Sequence, residues 1–157
     1  MWGSADNTHM NHLIILQKRI VRMVYYLDKR RPDFSFPRAD PLFLNLGFLK
    51  VHDIFKLKIA KFVYNSLNKL NPTNFHSWFK LTSQMHNHNT RSKFIDIDNL
   101  KTTNNLFIRT ARTTHYGLKS LKVQGPKIWN VIPPLVRIIT SPKGFIKELK
   151  TYFMNMN

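Results

Sequence analysis

Cysteine is absent from the 157-residue chain. Disulfides, thiolate nucleophiles and cysteine-based zinc sites are therefore excluded, the zinc knuckle among them. Acid is scarce: eight Asp and Glu stand against 25 Lys and Arg, and Glu148 is the only glutamate. The five glycines are scattered singly, which leaves no Gly-rich phosphate loop and no glycine-flanked serine elbow. No histidine–carboxylate pair stands out beside a serine, so no hydrolase constellation is expected. No apolar run reaches the roughly eighteen residues of a membrane-spanning helix. The opening Met1-Trp2-Gly3-Ser4-Ala5-Asp6 has no apolar core of the kind a signal peptide needs.

What is present argues for a folded, basic chain. At 43% apolar and 13% aromatic, with twelve Phe, the sequence can build a core and is not of disordered composition. A formal charge of +17 repels itself in a compact state and favours a polyanionic partner. Nucleic acid leads that class. A basic surface without a specific ligand is the bland alternative. An anionic membrane surface is the weaker one, and no membrane partner is expected.

Periodicity predicts a mainly α fold: a small helical domain with a long irregular basic insertion. A first helix spans about Thr8 to Leu27, with Asp6, Asn7 or Thr8 as N-cap. Leu13, Leu16, Ile20, Met23, Val24 and Leu27 form the apolar face expected to pack. Lys18, Arg19, Arg22 and Tyr26 fall elsewhere on the wheel. Lys29, Arg30 and Arg31 follow at the C-terminal end, where cations suit the helix dipole, and Pro32 stops the helix. Asp40-Pro41 opens a short helix to Leu46 that Gly47 closes. A second long helix, from Val51 or His52 to Asn68, is apolar around most of its circumference and is expected to be central. Lys56, Lys58 and Lys61 emerge along a narrow strip. Asn71-Pro72 is a turn, and Thr73 to Phe79 admits a helical turn or two.

Residues 83–124 are polar, rich in Asn and Thr, and without a sustained period. The pattern admits short strands at Lys93–Ile97 and Leu106–Arg109. Gly125-Pro126 starts a short helix or turn bearing Ile128 and Trp129, which Pro133-Pro134 ends. Ser141-Pro142 opens a last helix to about Met154, with Phe145, Leu149, Tyr152 and Phe153 on one face and Lys143, Lys147 and Lys150 on the other. The chain 1–157 is thus expected to be one domain, with a helical core at 8–79 and 125–154 and an irregular basic segment at 83–124.

Several segments in order resemble one family. They are Trp2-Gly3-Ser4, Leu16-Gln17-Lys18-Arg19-Ile20-Val21-Arg22, Pro41-Leu42-Phe43 with Leu46-Gly47-Phe48-Leu49, and Phe62-Val63-Tyr64-Asn65. His88-Asn89-Thr90-Arg91, Gly125-Pro126-Lys127-Ile128-Trp129-Asn130 with Pro133, and Ser141 with Phe145, Lys147 and Leu149 complete the set. Together they are similar to the region following the thumb in reverse transcriptases of jockey-like and related non-LTR (LINE-type) retrotransposons. Each segment alone is weak; seven in register over nearly the whole chain are specific.

The resemblance implies an RNA-directed DNA polymerase as parent, with polymerase domains preceding this piece, a nuclear location, and template RNA or target DNA as partner. The parent would need divalent magnesium, held by the aspartates of a Tyr-x-Asp-Asp motif. No adjacent Asp pair occurs here; Asp96-Ile97-Asp98 is the nearest, and it lies beyond the landmarks that follow the thumb. No cofactor of its own and no polymerisation are expected of this chain.

The expected nucleic-acid contacts are Lys18, Arg19, Arg22, Lys29, Arg30, Arg31, Asn89 and Arg91. Lys18 and Arg22 are four apart and point the same way, a spacing suited to backbone phosphates. A solvated helix face is the other reading. For residues 86–91 three readings stand. His86, His88 and upstream His76 could ligate a metal, although no Cys or carboxylate is close in sequence. Arg91 with Asn89 and Thr90 could fork onto phosphate, or the loop could bond to itself. Trp129 and Asn130 read first as packing, with base stacking on Trp129 secondary. Tyr25, Tyr26 and Tyr116 are candidates for stacking. The rival function is a stand-alone basic helical interaction module, or a decayed relic without activity.

Overall fold

The computed structural model describes residues 7–29, 38–85, 105–113 and 117–156. It is mainly helical, and no sheet occurs among the described residues. In chain order the helices are α1 (Asn7–Lys29), α2 (Ala39–Asn45), α3 (Val51–Leu67), α4 (Thr82–Met85), α5 (Leu121–Val131), α6 (Pro134–Arg137) and α7 (Pro142–Asn155), with a 3-10 turn at Thr73–Phe75. The chain groups into two compact units, Met1–Phe55 with Lys150–Asn157, and Lys56–Leu149.

In the first unit α1 packs through Val21 on Ala39, Leu42 and Phe43 of α2, with Tyr25 and Leu46 at the edge. The α2 helix ends in a Schellman motif. Gly47 takes φ +66°, its N–H donates to Leu44 O at 3.1 Å, and Phe48 N–H donates to Phe43 O at 2.9 Å. A residue with a Cβ is disfavoured there, so Gly47 is where α2 must stop. The expected Asp40 cap is corrected: α2 begins at Ala39 with Arg38 as N-cap and no side-chain cap bond. Asp40 sits inside the first turn and pairs instead with Lys50.

The buried line of α1 differs from the expected one. Met10 and Val21 are each 2% exposed, whereas Leu13 (42%), Leu16 (51%), Ile20 (59%), Met23 (63%) and Leu27 (75%) face outward. At 100° per residue the two lines lie about a third of a turn apart. The helix has two apolar lines, and Gln17 decides between them. Its Nε2 donates to Leu49 O at 2.7 Å, and its Oε1 accepts from Val51 N–H at 2.9 Å. An amide spanning two backbone polar groups at the head of α3 fixes which side of α1 turns inward.

In the second unit the core is built on α3, α5 and α7. Ile59, Ala60, Val63 and Tyr64 of α3 are buried, as are Val123 and Trp129 of α5 and Phe145 and Leu149 of α7. Tyr64 stacks on Phe145 at 4.3 Å between centroids and 16° between planes. Trp129 lies 5.9 Å from the same ring. Aromatic pairs of this kind add to the burial itself. Trp129 is thus a core residue at 3% exposure, which excludes it as a stacking platform.

The start of α5 is also corrected. Expected at Gly125, it begins at Leu121 and carries Pro126 in its interior. Ser120 O accepts from Val123 and Gln124 N–H, so the first turn forms ahead of the proline, which lacks an N–H for the carbonyl four residues back. Gly125 is dictated by contact: a Cβ there would stand 2.7 Å from Phe79 Cε1 and 3.0 Å from Val63 Cγ2. The strand expected at Leu106–Arg109 reduces to one isolated antiparallel bridge, Leu81 to Leu106. That expected at Lys93–Ile97 lies outside the described residues.

Candidate nucleic-acid interface

The cations expected on α1 are partly engaged by the fold. Lys18 is half-buried and Arg19 exposed. Lys18 is near enough to Asp40 to help lower its carboxyl pKa. The larger cause is the hydrogen bond from Lys50, whose Nζ lies 3.0 Å from Asp40 Oδ1. Arg22, one turn beyond Lys18, is half-buried and already has a protein contact. Lys29 ends the helix. Arg30, Arg31, Asn89 and Arg91 lie outside the described residues, as do His86, His88 and Tyr116. Tyr25 and Tyr26 are half-buried and meet edge to face at 6.3 Å.

Most of the charge lies elsewhere. Residues 56–149 hold sixteen Lys and Arg against Asp96, Asp98 and Glu148, a net +13 of the total +17, while the rest of the chain has nine against five. Lys56, Lys58, Lys69, Lys80, Arg109, Arg112, Lys122, Lys127, Lys143 and Lys147 are exposed. Among the described residues of 56–149 the single carboxylate is Glu148.

The segment 105–107 is bound firmly beside part of this charge. Thr82 N–H and Oγ1 donate to Asn105 O at 2.9 and 3.0 Å. Phe107 N–H donates to Lys80 O at 2.9 Å. Asn130 holds Leu106 through both backbone polar groups, accepting its N–H at 2.8 Å and donating to its carbonyl at 2.9 Å. Arg137 Nη1 donates to Asn105 Oδ1 at 2.8 Å. Arg137 is 8% exposed, and burial pushes its guanidinium pKa down from the ordinary value. These bonds fix residues 105–107 against Lys80, Thr82, Asn130 and Arg137.

Trp78, which sequence reasoning passed over, meets a cation. The Lys122 ammonium sits 4.6 Å from its ring centroid. Phe75 meets the same ring edge to face at 4.8 Å, and Phe62 lies at 6.3 Å. The available signal was a tryptophan two residues from Lys80 in a charge-rich half of the chain.

No metal-holding group of three or more His, Asp or Glu occurs among the described residues. His76 is occupied: its Nε2 lies 2.6 Å from Asn71 O, and Asn71 Nδ2 donates to Phe62 O and Ser66 Oγ. A cavity of about 270 Å³ lies between Asp40, Pro41, Phe43, Leu44, Phe48, Leu49, Lys50 and Met154. Its lining is largely apolar apart from the Asp40–Lys50 pair. Among the described residues no helix is long and apolar enough to cross a membrane. No protein-family model, curated protein or solved structure matches the chain.

Proposed function

We propose that this chain is the C-terminal, post-thumb piece of a non-LTR retrotransposon reverse transcriptase, and that it binds template RNA or target DNA in support of DNA synthesis by the preceding polymerase domains. The observation that carries the binding is the concentration of +13 in residues 56–149, with ten exposed cations among the described residues. Such a surface gains free energy from phosphate by releasing condensed counterions. The motif resemblance supplies the parent. The palm aspartates that would hold magnesium have no counterpart in the sequence, so catalysis belongs to the parent and its place of work is the nucleus. The test is binding of a 30-nucleotide RNA and a matched DNA duplex by the purified chain across a salt series. Affinity should fall steeply, with a slope of log K against log salt of about −0.7 per phosphate contact for the single strand. A flat salt response, or primer extension by this chain alone with magnesium and nucleotides, would overturn the reading.

A second reading, a helical interaction module, is favoured by one feature. The outward line Leu13, Leu16, Ile20, Met23 and Leu27 has alternating spacings of three and four, the seam of a two-stranded coiled coil. Its occupant on this reading is a second copy of the chain, since the seam is self-complementary and the e-type positions, Gln17 and Val24, are uncharged. Sedimentation velocity decides it: a concentration-dependent dimer lost on Ile20→Lys supports it, and a monomer at every concentration removes it.

A further inference from the structure

We infer that Trp78 is a base-stacking platform for single-stranded nucleic acid, with Lys122 as the phosphate contact beside it. The inference rests on the nucleic-acid-binding reading and names the residues and the strandedness. Three observations converge on this point. The indole is half-buried and held in a fixed orientation by Phe75 and Phe62, so a stacked base orders little that is not already ordered. Lys122, exposed on the first turn of α5, lies over the ring at 4.6 Å. The surroundings are cationic: Lys80 follows two residues after Trp78, the Phe107–Lys80 backbone bond brings the Arg109 segment alongside, and Lys119 stands three residues before Lys122.

An ammonium over a half-buried indole that still reaches solvent is held more weakly than a base stacks on one. An arriving base therefore takes the ring face, and the displaced ammonium pairs with the adjoining phosphate. A duplex keeps its bases stacked on each other and offers none to Trp78, so the platform selects single strands. The interaction has no base-edge readout, and every base has a face to offer.

The experiment uses the full chain with a 15-nucleotide oligo(dA) and a 15-mer of abasic deoxyribose phosphate, which has the same charge and no bases. Oligo(dA) should bind about tenfold tighter than the abasic strand and quench tryptophan fluorescence. Trp78→Ala should abolish that preference and leave both the abasic-strand affinity and the far-ultraviolet circular dichroism unchanged, the latter showing that the variant is folded. Trp78→Phe should hold affinity for oligo(dA) within about threefold, because stacking survives, while the quench is lost. Lys122→Ala should lower the salt slope by about 0.7, one phosphate contact. Equal affinity for the two strands, or quenching that persists in Trp78→Phe, overturns the platform and leaves nucleic-acid binding standing. Failure of the wild-type chain to bind either strand overturns both.

Discussion

Asn130 pairs its side-chain amide with both backbone polar groups of Leu106, as a neighbouring β-strand would. Leu106 is 1% exposed, so water is not at hand to replace the partner. Asn130→Ala leaves a buried N–H and a buried carbonyl without their bonds, at about 1–3 kcal/mol each. Asn130→Ala should lower stability by about 2 kcal/mol or more in urea unfolding. Asn130→Asp restores the acceptor but not the donor and should fall between. A loss below about 0.5 kcal/mol for the alanine variant would show that the clamp contributes little.

The same pairing bears on what sequence could reveal. Asn130 and Gln17 both belong to segments that carry the family resemblance, and each spans backbone groups of a distant loop. A side-chain amide that satisfies an N–H and a C=O together has no sequence period, so its partner was not legible. The long helices were: α3 ends within one residue of the expected Asn68, and Phe145, Leu149 and Phe153 of α7 are buried as their spacing indicated. The buried face of α1 is not legible from hydropathy because Gln17 sits in the middle of it, and polarity alone selects the other line. Gly125-Pro126 reads as a helix start because an interior proline is costly, and the turn that forms ahead of it, closed by the Val123 and Gln124 N–H groups on Ser120 O, has no sequence signature. In the interface, total charge was legible and its segregation into 56–149 could be counted. The approach of Lys122 to Trp78 depends on tertiary packing.

Tyr64 gives the chain an alkaline limit. Its hydroxyl donates to Thr140 O, and burial raises its pKa above the ordinary 10.0. The folded state therefore holds the phenolic proton more tightly than the unfolded state does. This contribution to stability is full below pH 10.0 and is lost as pH rises through the folded-state pKa. Tyr64→Phe should cost about 0.5–1.5 kcal/mol at neutral pH, for one hydrogen bond. The gap between wild type and variant should close above pH 10. Unfolding curves at pH 7 and pH 11 measure it, and a gap that widens with pH would contradict the assignment.

Lys69 ends α3 in the conformation that favours glycine, with φ +57°. Lys69 N–H donates to Ser66 O and Leu70 N–H to Asn65 O, the same Schellman arrangement that Gly47 makes after α2. A side chain with a Cβ costs about 1 kcal/mol or more there, and Lys69 is exposed, so removing it sacrifices no packing. Lys69→Gly should raise stability by about 0.5–1 kcal/mol, read as an upward shift in thermal midpoint, after allowing for the extra unfolded-state freedom of glycine. A destabilised Lys69→Gly variant would mean that the C-terminus of α3 is built differently.

Two neighbours on α1 separate the observed packing from the one that hydropathy suggests. Val21 is 2% exposed against Ala39, Leu42 and Phe43, while Ile20 beside it is 59% exposed. Truncating a buried aliphatic side chain loses its transfer free energy and leaves a cavity, whereas a surface truncation away from special features changes little. Val21→Ala should therefore cost about 1–3 kcal/mol and Ile20→Ala no more than about 0.5 kcal/mol, in urea unfolding at low protein concentration. The larger side chain gives the smaller effect, which residue type alone does not predict. The concentration also matters. If the Leu13–Leu27 seam is covered by a second copy, the Ile20→Ala cost grows with protein concentration while that of Val21→Ala does not. An Ile20→Ala cost exceeding that of Val21→Ala in the monomer would restore the hydropathy-based face and remove the basis for an exposed seam.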